Sequence, residues 1–475
     1  MVLYLLGWIA MCEAALLLLP AVVSLIYGEQ TVYAFLITAA ISAGVGFLFQ
    51  LRKPTNRVFY LKEGFIVTAL AWLLISILGS LPFLLSGSIV NPVDALFETV
   101  SGFTTTGASI LSDVEALPRG MLFWRSFTHW IGGMGVLVFL LTILPMAGGS
   151  YTNLMKAESP GPQVEKFVPK IRYNALILYG IYLALTVIQI VILAAAKMPI
   201  FDALTITFGT AGTGGFGVLN DSVASYTPFQ QNVITVFMIL FGINFNFYFL
   251  LLLRKLRKAF SFEEVRWYLL IIAASILVIT IDVASQFDTL AEAIRHTAFQ
   301  VGSIITTTGF STVNFDLWPS LSKSILVLLM FIGACAGSTG GGIKVSRIVL
   351  LFKTVKRELR QVLHPSSVRI TSMDGKTISR DVLHTTNVYL VAYTIIFALS
   401  VLLITVDGYD LVTNFTAVAA TLNNIGPGLS LVGPACNFGH FSAFSKLVMI
   451  FDMLAGRLEL FPLLILFTKE TWRKF

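Results

Sequence analysis

The chain has 475 residues, of which 56% are hydrophobic and only 12% charged, with a formal net charge of +7, and its mean hydropathy is +0.84. That much apolar surface cannot be hidden in one water-soluble core, so most of it faces lipid: the fold class is an all-α polytopic membrane protein. Three scattered cysteines, Cys12, Cys335 and Cys436, offer neither a disulfide framework nor a zinc spacing.

The opening run has no basic region before its apolar residues and no small-residue cleavage site, so it reads as a retained span and not a removable signal. Apolar runs at 2–26, 32–50, 63–86, 121–147, 173–196, 229–253, 267–284, 321–352, 384–406 and 441–468 make about ten transmembrane helices. Shorter segments at 93–103, 200–211, 290–305 and 411–422 lie between spans three and four, five and six, seven and eight, and nine and ten. They are too short to cross a bilayer and suit re-entrant half-helices. Each begins near Asp94, Asp202, Glu292 or Asp410, where a carboxylate favours a helix N-terminus. The predicted organisation is a two-span N-terminal preface (1–57) and four parallel repeats of helix, pore half-helix, strand and helix around one central pore. The repeats fall at 58–155, 156–262, 263–370 and 371–475, the third with a Gly-rich intramembrane loop.

Basic residues set the orientation. Arg52, Lys53, Arg57 and Lys62 follow span two, Lys156, Lys166, Lys170 and Arg172 follow span four, and Arg254, Lys255, Arg257, Lys258 and Arg266 follow span six. A cluster over 344–380 follows span eight, and Lys469, Arg473 and Lys474 close the chain. The other side carries only Arg119, Arg125, Lys197, Arg295, Lys323 and Lys446. The positive-inside rule places both termini in the cytoplasm and every half-helix on the external side. Topology thus accounts for the net charge without a nucleic-acid surface.

Four segments share one pattern at a spacing of roughly a hundred residues. They are Thr104-Thr105-Thr106-Gly107-Ala108, Gly212-Thr213-Gly214-Gly215-Phe216, Thr306-Thr307-Thr308-Gly309-Phe310 and Asn423-Asn424-Ile425-Gly426-Pro427. Each follows a half-helix whose carbonyl end carries about half a negative charge, so four converging ends favour a cation. An extended strand returning outward presents successive carbonyls to the axis, replacing the hydration shell of a dehydrated ion, with threonine hydroxyls at the inner end. Glycine permits the backbone angles required. None of the four segments contains Asp or Glu, which suits K+ and argues against a calcium site. Residues 212–217 also satisfy GxGxxG, but no βαβ unit surrounds them, so a nucleotide fold is excluded.

Span eight breaks over 333–342, where five of ten residues are glycine. A helix would lose roughly 1 kcal/mol at each relative to alanine, so an irregular loop is predicted, lining the pore below the strands. Its plain alternative is a packing kink. Ile343 stands where a phosphate-binding loop needs lysine, which excludes that reading. Arg457, inside the last span, carries an insertion cost of roughly 2.5–3.5 kcal/mol and must face a cavity or pair with Asp452 or Glu459. Glu98 reads as a buried hydrogen-bond acceptor with a lesser role in the outer field, and the five histidines are dispersed with no metal pair. Residues 350–380 read as a basic amphipathic helix followed by a turn at Asp374-Gly375, fit to dock a partner or to lie on anionic lipid.

The preface, the four units, their TTTGA, GTGGF, TTTGF and NNIGP strands and the segment ACAGSTGGGIKVSR at 334–347 resemble, over nearly the whole chain, the Trk/Ktr/HKT superfamily of potassium transporters. The first two spans point to its bacterial TrkH branch, since KtrB-type relatives lack them. The resemblance implies a potassium-uptake pore within one chain, packed as a homodimer in the bacterial inner (plasma) membrane. It also implies gating by a cytoplasmic nucleotide-binding (RCK) ring of the TrkA type, with K+ as the transported ion and no covalent cofactor. The family's filter glycines fall on Gly107, Gly215, Gly309 and Gly426. Serine at the first of these accompanies sodium transport in plant relatives, so Gly107 favours potassium. The family's intramembrane gate falls on Gly337, Ser338, Thr339, Gly340, Gly341 and Gly342, and Arg457 matches an arginine that acts there as a barrier to cations. The rival reading is a secondary carrier with Na+ or H+ symport. An enzyme would need acids, bases or metal ligands meeting at membrane depth, which Glu98 and the residues around Arg457 do not supply.

Overall fold

The computed structural model describes residues 1–51, 61–135, 171–365 and 371–472. Apart from a small antiparallel hairpin, β1 (Ser372–Met373) with β2 (Lys376–Thr377), the regular structure in these residues is helical. The hairpin turns at Asp374 and Gly375, as expected, with φ of 52° and 77°. The preface consists of α1 (Val2–Leu16) running into α2 (Leu18–Ile26), with α3 (Val32–Gln50) returning against both.

Four units follow. The first is α4 (Leu61–Leu85), α5 (Pro92–Phe103) and α6 (Arg119–Gly133). The second is α7 (Ile171–Ala195), α8 (Ile200–Gly212), α9 (Pro228–Phe241), α10 (Phe245–Leu252) and the short α11 (Leu256–Ala259). The third is α12 (Glu263–Val283), α13 (Leu290–Ile305), α14 (Ser320–Phe331) and α15 (Val345–Leu363). The fourth is α16 (Arg380–Ile404), α17 (Leu411–Leu422), α18 (Ala443–Arg457) and α19 (Phe461–Leu464).

The half-helices α5, α8, α13 and α17 begin and end within one residue of their predicted limits. Three start on side-chain caps: Asn91, Thr289 and Asp410 accept from Val93 N, Glu292 N and Thr413 N. Ile200, Leu290, Ile294, Leu411 and Val412 near their N-termini are exposed, but their C-terminal halves are largely buried, and the later helix of each unit packs on the half-helix of the next. Contacts run α6 to α8, α9 to α13, α14 to α17, and α18 back to α5. This last contact closes the units into a ring.

The apolar runs predict about ten spans. Among the described residues six helices are long and apolar enough to cross, or seven if α9 and α10, bent by 91°, count as one. The later helix of every unit stops short, α6 at Gly133, α9 at Phe241, α14 at Phe331 and α18 at Arg457. The break after α14 is the one the glycine run at 333–342 predicts, whereas hydropathy does not register the break after α9, whose freed backbone groups are satisfied by a distant part of the chain. Span four beyond residue 135, the divisions at 57 and 155, residue 370 at the third division, and Arg52, Lys53, Arg57, Lys156, Lys166, Lys170, Arg473 and Lys474 lie outside the described residues.

The preface is held by close backbone approach, as small residues allow between membrane helices. An ideal Cβ on Gly7 would lie 2.8 Å from Gly46 O, and one on Gly46 would lie 2.8 Å from Gly7 O. Gly44, two residues earlier in the same helix, has nothing within 4 Å of its Cβ direction. Gly46→Val is therefore expected to lower thermal stability in detergent by about 1–3 kcal/mol through overpacking, whereas Gly44→Ala is neutral or stabilising; equal melting temperatures for the two variants would contradict this packing.

Candidate functional site

The four half-helices terminate alike. At each C-terminus one residue is left-handed, Thr105, Thr213, Thr307 and Asn424, with φ between 55° and 58°. The next N–H reaches back five residues, Thr106 to Ser101, Gly214 to Gly209, Thr308 to Ser303 and Ile425 to Ala420, at 2.8–2.9 Å. This is a Schellman end, a position that ordinarily takes glycine. Threonine there is strained by roughly 1–3 kcal/mol, and such strain persists only where the surroundings impose it.

Two residues further on stands a second left-handed position, Gly107 (φ 78°), Gly215 (80°), Gly309 (86°) and Gly426 (100°). The expected extended strand is thereby corrected. A β-strand sends successive carbonyls to opposite sides, and a left-handed residue at every second position breaks that alternation.

The four glycines meet. An ideal Cβ on Gly107 would lie 1.9 Å from Gly214 O, one on Gly215 2.0 Å from Thr308 O, one on Gly309 2.0 Å from Ile425 O, and one on Gly426 2.8 Å from Thr106 O. In order, these contacts pass from unit one through two, three and four back to one, so the glycines encircle a single line. All four line one cavity of about 100 Å³, with Arg125 and Cys436 also on its wall. Among the described residues no group of three or more His, Cys, Asp or Glu is placed to hold a metal ion. The groups set against the four glycines are peptide carbonyls.

The threonine hydroxyls divide into two sets. Those of Thr104 and Thr306 bind Val100 O and Gly302 O at 2.6 Å, and those of Thr106 and Thr308 bind them in turn at 2.8 and 2.7 Å. Thr213 Oγ1 bonds Gly212 O at 2.6 Å, and Thr307 Oγ1 accepts from Gly341 N at 2.6 Å. Thr105 Oγ1 is buried with no hydrogen-bond partner among the described residues. In the fourth segment Asn423 donates to Ala419 O (2.8 Å) and accepts from Tyr393 (3.0 Å), while Asn424 Nδ2 reaches Thr106 Oγ1 (3.0 Å) and Met453 O (2.8 Å). Gly212 and Gly214 pack directly against His129 of α6.

Above the glycines, Glu98 is a fully buried acceptor. It pairs with Arg125 at 2.8 Å and takes Ser109 Oγ and Ile110 N at 3.0 Å. Arg125 continues to Gly217 O at 3.3 Å and lies 4.1 Å over the Phe216 ring, bracing the first segment against the second. At the mouth Asn220 accepts from Val114 N at 2.8 Å and donates to Asp113 at 2.9 Å, and that amide holds the Asp113 carboxyl below its usual range.

Below the glycines lies the irregular loop from Gly337 to Gly342. A bridge between Ile332 and Ile343 closes its base. An ideal Cβ on Gly340 would lie 3.0 Å from Thr306 O and one on Gly341 2.6 Å from Asn423 O, so the loop abuts the inner ends of segments three and four. It also fills the break in span six: Cys335 N donates to Gly242 O (3.0 Å), Thr339 N to Phe241 O (3.5 Å), and Phe245 N to Gly337 O (3.0 Å). Glu264 Oε1 accepts from Ala336 N (2.7 Å) and Ser346 N (3.0 Å), on either side of the loop. Buried Lys344 donates to Gly340 O and Gly341 O.

Arg457 points inward, donating to Thr339 O (2.9 Å), Gly133 O (2.9 Å) and Gly132 O. It joins unit four, the loop and the end of α6. Asp452 engages Ser400 at 2.6 Å, and Glu459 engages Arg347 at 2.5 Å. Glu264 and Tyr393 went unweighted in the sequence, Lys344 counted there only as the start of a basic cluster and His129 only as one of five dispersed histidines, because nothing local marks a residue whose partner lies in another unit.

A family model described as TrkH, a cation transport protein, matches residues 28–474. The chain is 36% identical over 475 residues to the Trk system potassium uptake protein TrkH of Salmonella typhimurium, covering 98% of each. It is 34% identical over 481 residues to TrkH of Halomonas elongata, covering 100% of this chain and 99% of that one. The crystal structure of the potassium transporter TrkH from Vibrio parahaemolyticus superposes with a TM-score of 0.89 at 32% identity, over 99% of both chains.

Arg125→Met strands the Glu98 carboxylate in a buried site and is expected to cost about 3–5 kcal/mol, while Arg125→Met with Glu98→Gln recovers most of it. Thermal unfolding of the two purified variants measures this; a double variant no more stable than the single one would remove the pair from the bracing role.

Proposed function

Because the chain belongs to the TrkH family of cation transport proteins, we propose that it is the potassium-translocating subunit of a Trk-type uptake system, a pore with a four-segment carbonyl filter. The observation that carries this reading is the closed cycle of Gly107, Gly215, Gly309 and Gly426, each against a carbonyl of the neighbouring unit. A dehydrated K+ on that line exchanges water for the peptide oxygens of Thr106, Gly214, Thr308 and Ile425 and of their neighbours, with the negative ends of four half-helices behind them. Inward movement of one charge is worth roughly 2.3 kcal/mol per 100 mV, so the membrane potential drives uptake without chemistry in this chain.

The loop Gly337–Gly342 is the gate in this reading. It stands directly inside the filter, and Arg457 adds a positive charge while tying the loop to unit one. Opening requires the Gly341–Thr307 and Arg457–Thr339 bonds to part. The reading further places the chain as a homodimer in the bacterial inner membrane, with both termini and the basic α15 in the cytoplasm, where a TrkA-type nucleotide-binding ring docks. The divisions at 57, 155, 262 and 370 separate the preface from the four pore units.

Flux from purified protein in liposomes, with K+ and Na+ compared, tests the function, and unitary currents in planar bilayers separate a pore from a coupled carrier. Gly107→Ser drives a side chain onto Gly214 O and is expected to lower the K+/Na+ ratio about tenfold, equivalent to about 1.4 kcal/mol; an unchanged ratio would sink the filter assignment. Deleting residues 337–342, or Arg457→Ala, is expected to raise basal K+ flux severalfold, and the gate is refuted if both variants conduct like the parent.

A further inference from the structure

In units one and three, threonines flank the left-handed threonine, and their hydroxyls join behind the ring: Thr104 to Thr106 at 2.8 Å and Thr306 to Thr308 at 2.7 Å. In unit two the same positions are Gly212 and Gly214, which have no hydroxyl to join. The room is taken by His129, fully buried on α6. An ideal Cβ on Gly214 would lie 2.2 Å from His129 Cγ and 2.3 Å from its Nδ1, and the imidazole lies 4.3 Å from the Phe216 ring, centroid to centroid.

Both ring nitrogens are engaged. Nδ1 is 2.7 Å from Gly102 O, in the half-helix of unit one, and Nε2 is 3.2 Å from Phe216 N, in the segment of unit two. A carbonyl only accepts and a peptide N–H only donates, so Nδ1 carries the proton and Nε2 is bare. The neutral imidazole thus links two neighbouring units.

We propose that His129 is a selectivity-positioning residue, which stands in unit two for the threonine clasp of units one and three. The proposal rests on the filter reading above. Gly214 O faces Gly107, and Gly215 faces Thr308 O, so two of the four ring contacts belong to the stretch between the Gly214–imidazole contact and the Phe216 hydrogen bond. Without the imidazole, the Phe216 N–H loses its acceptor, and nothing fills the space behind Gly214. With a side chain at 214, the imidazole is displaced. Gly214 and His129 therefore form one fitted pair.

K+/Na+ permeability ratios of the full chain in liposomes test this. His129→Ala is expected to keep K+ flux but lower the ratio about fivefold or more, the scale of one buried hydrogen bond lost. His129→Asn or His129→Gln, whose amide offers one donor and one acceptor, retains most of the ratio. Gly214→Ala alone lowers the ratio by pressing on the imidazole, yet adds little in the His129→Ala background, so the two effects are non-additive. A merely structural histidine predicts reduced yield and reduced flux of both ions at a constant ratio. That outcome, a parental ratio in His129→Ala, or simple additivity with Gly214→Ala overturns the proposal. If His129→Ala does not fold, a lowered ratio in Gly214→Ala with a retained ratio in His129→Asn supports it, and the reverse refutes it. A parent protein with no preference for K+ is a different result, because it refutes the filter reading on which this one stands.

Discussion

Four backbones can meet on one line only where no Cβ stands between them. The distances of 1.9–2.8 Å from four imagined Cβ atoms to the next unit's carbonyl mean that any side chain at these positions must push a peptide aside. Glycine is required twice over, because each of the four is also left-handed. The rest of the architecture serves that meeting. The half-helices set the depth of the segments, their Schellman ends turn the chain back, and the contact of α18 with α5 shuts the ring. Strain at Thr105, Thr213, Thr307 and Asn424 is the corollary: four non-glycine residues held in one unfavourable conformation mark an arrangement that surrounding packing enforces.

The inner half of the molecule obeys a different constraint, the need to satisfy backbone groups where water is scarce. The break after Phe241 frees carbonyls that the loop of unit three takes up through Cys335 N and Thr339 N, and the loop in turn receives Phe245 N on Gly337 O. Each irregular stretch is tolerable because the other completes it. Lys344 and Arg457 then take up the loop carbonyls of Gly340, Gly341 and Thr339. Glu264 holds the residues on both sides of the loop to α12, and Lys344 and Thr307 fasten the glycines between them.

Membrane class and the four half-helices were legible in the sequence because their signals are local: length of apolar run, an acidic or capping residue, a glycine at a fixed offset. Arg457's inward direction was legible too, since lipid excludes it. The break after α14 was legible in its glycine run, but the break after α9 was not, because α9 with α10 is as apolar as a straight span and the break depends on two donors and an acceptor supplied by unit three. The strand conformation was misread for a related reason. Threonine has high β-propensity, and only the six-to-one hydrogen bonds from Thr106, Gly214, Thr308 and Ile425 show that the chain turns left-handed instead. His129 left no signature, since a lone histidine among aromatic residues looks like core until Gly212 and Gly214 are seen beside it.

The four units therefore share a backbone, not a set of side chains. Two segments are fastened by threonine pairs, one by an imidazole, and one by Asn423 and Asn424 reaching Tyr393, Met453 O and the threonine pair of unit one. A ring of identical subunits must use one fastening four times, whereas a single chain is free to let each unit find its own, provided the carbonyls arrive at the same place. Such a ring is fourfold at its glycines and unequal behind. The loop beneath touches the third and fourth segments, through Thr307, Thr306 O and Asn423 O. Arg457, whose guanidinium spans from Thr339 to Gly133, ties the same loop to the first unit.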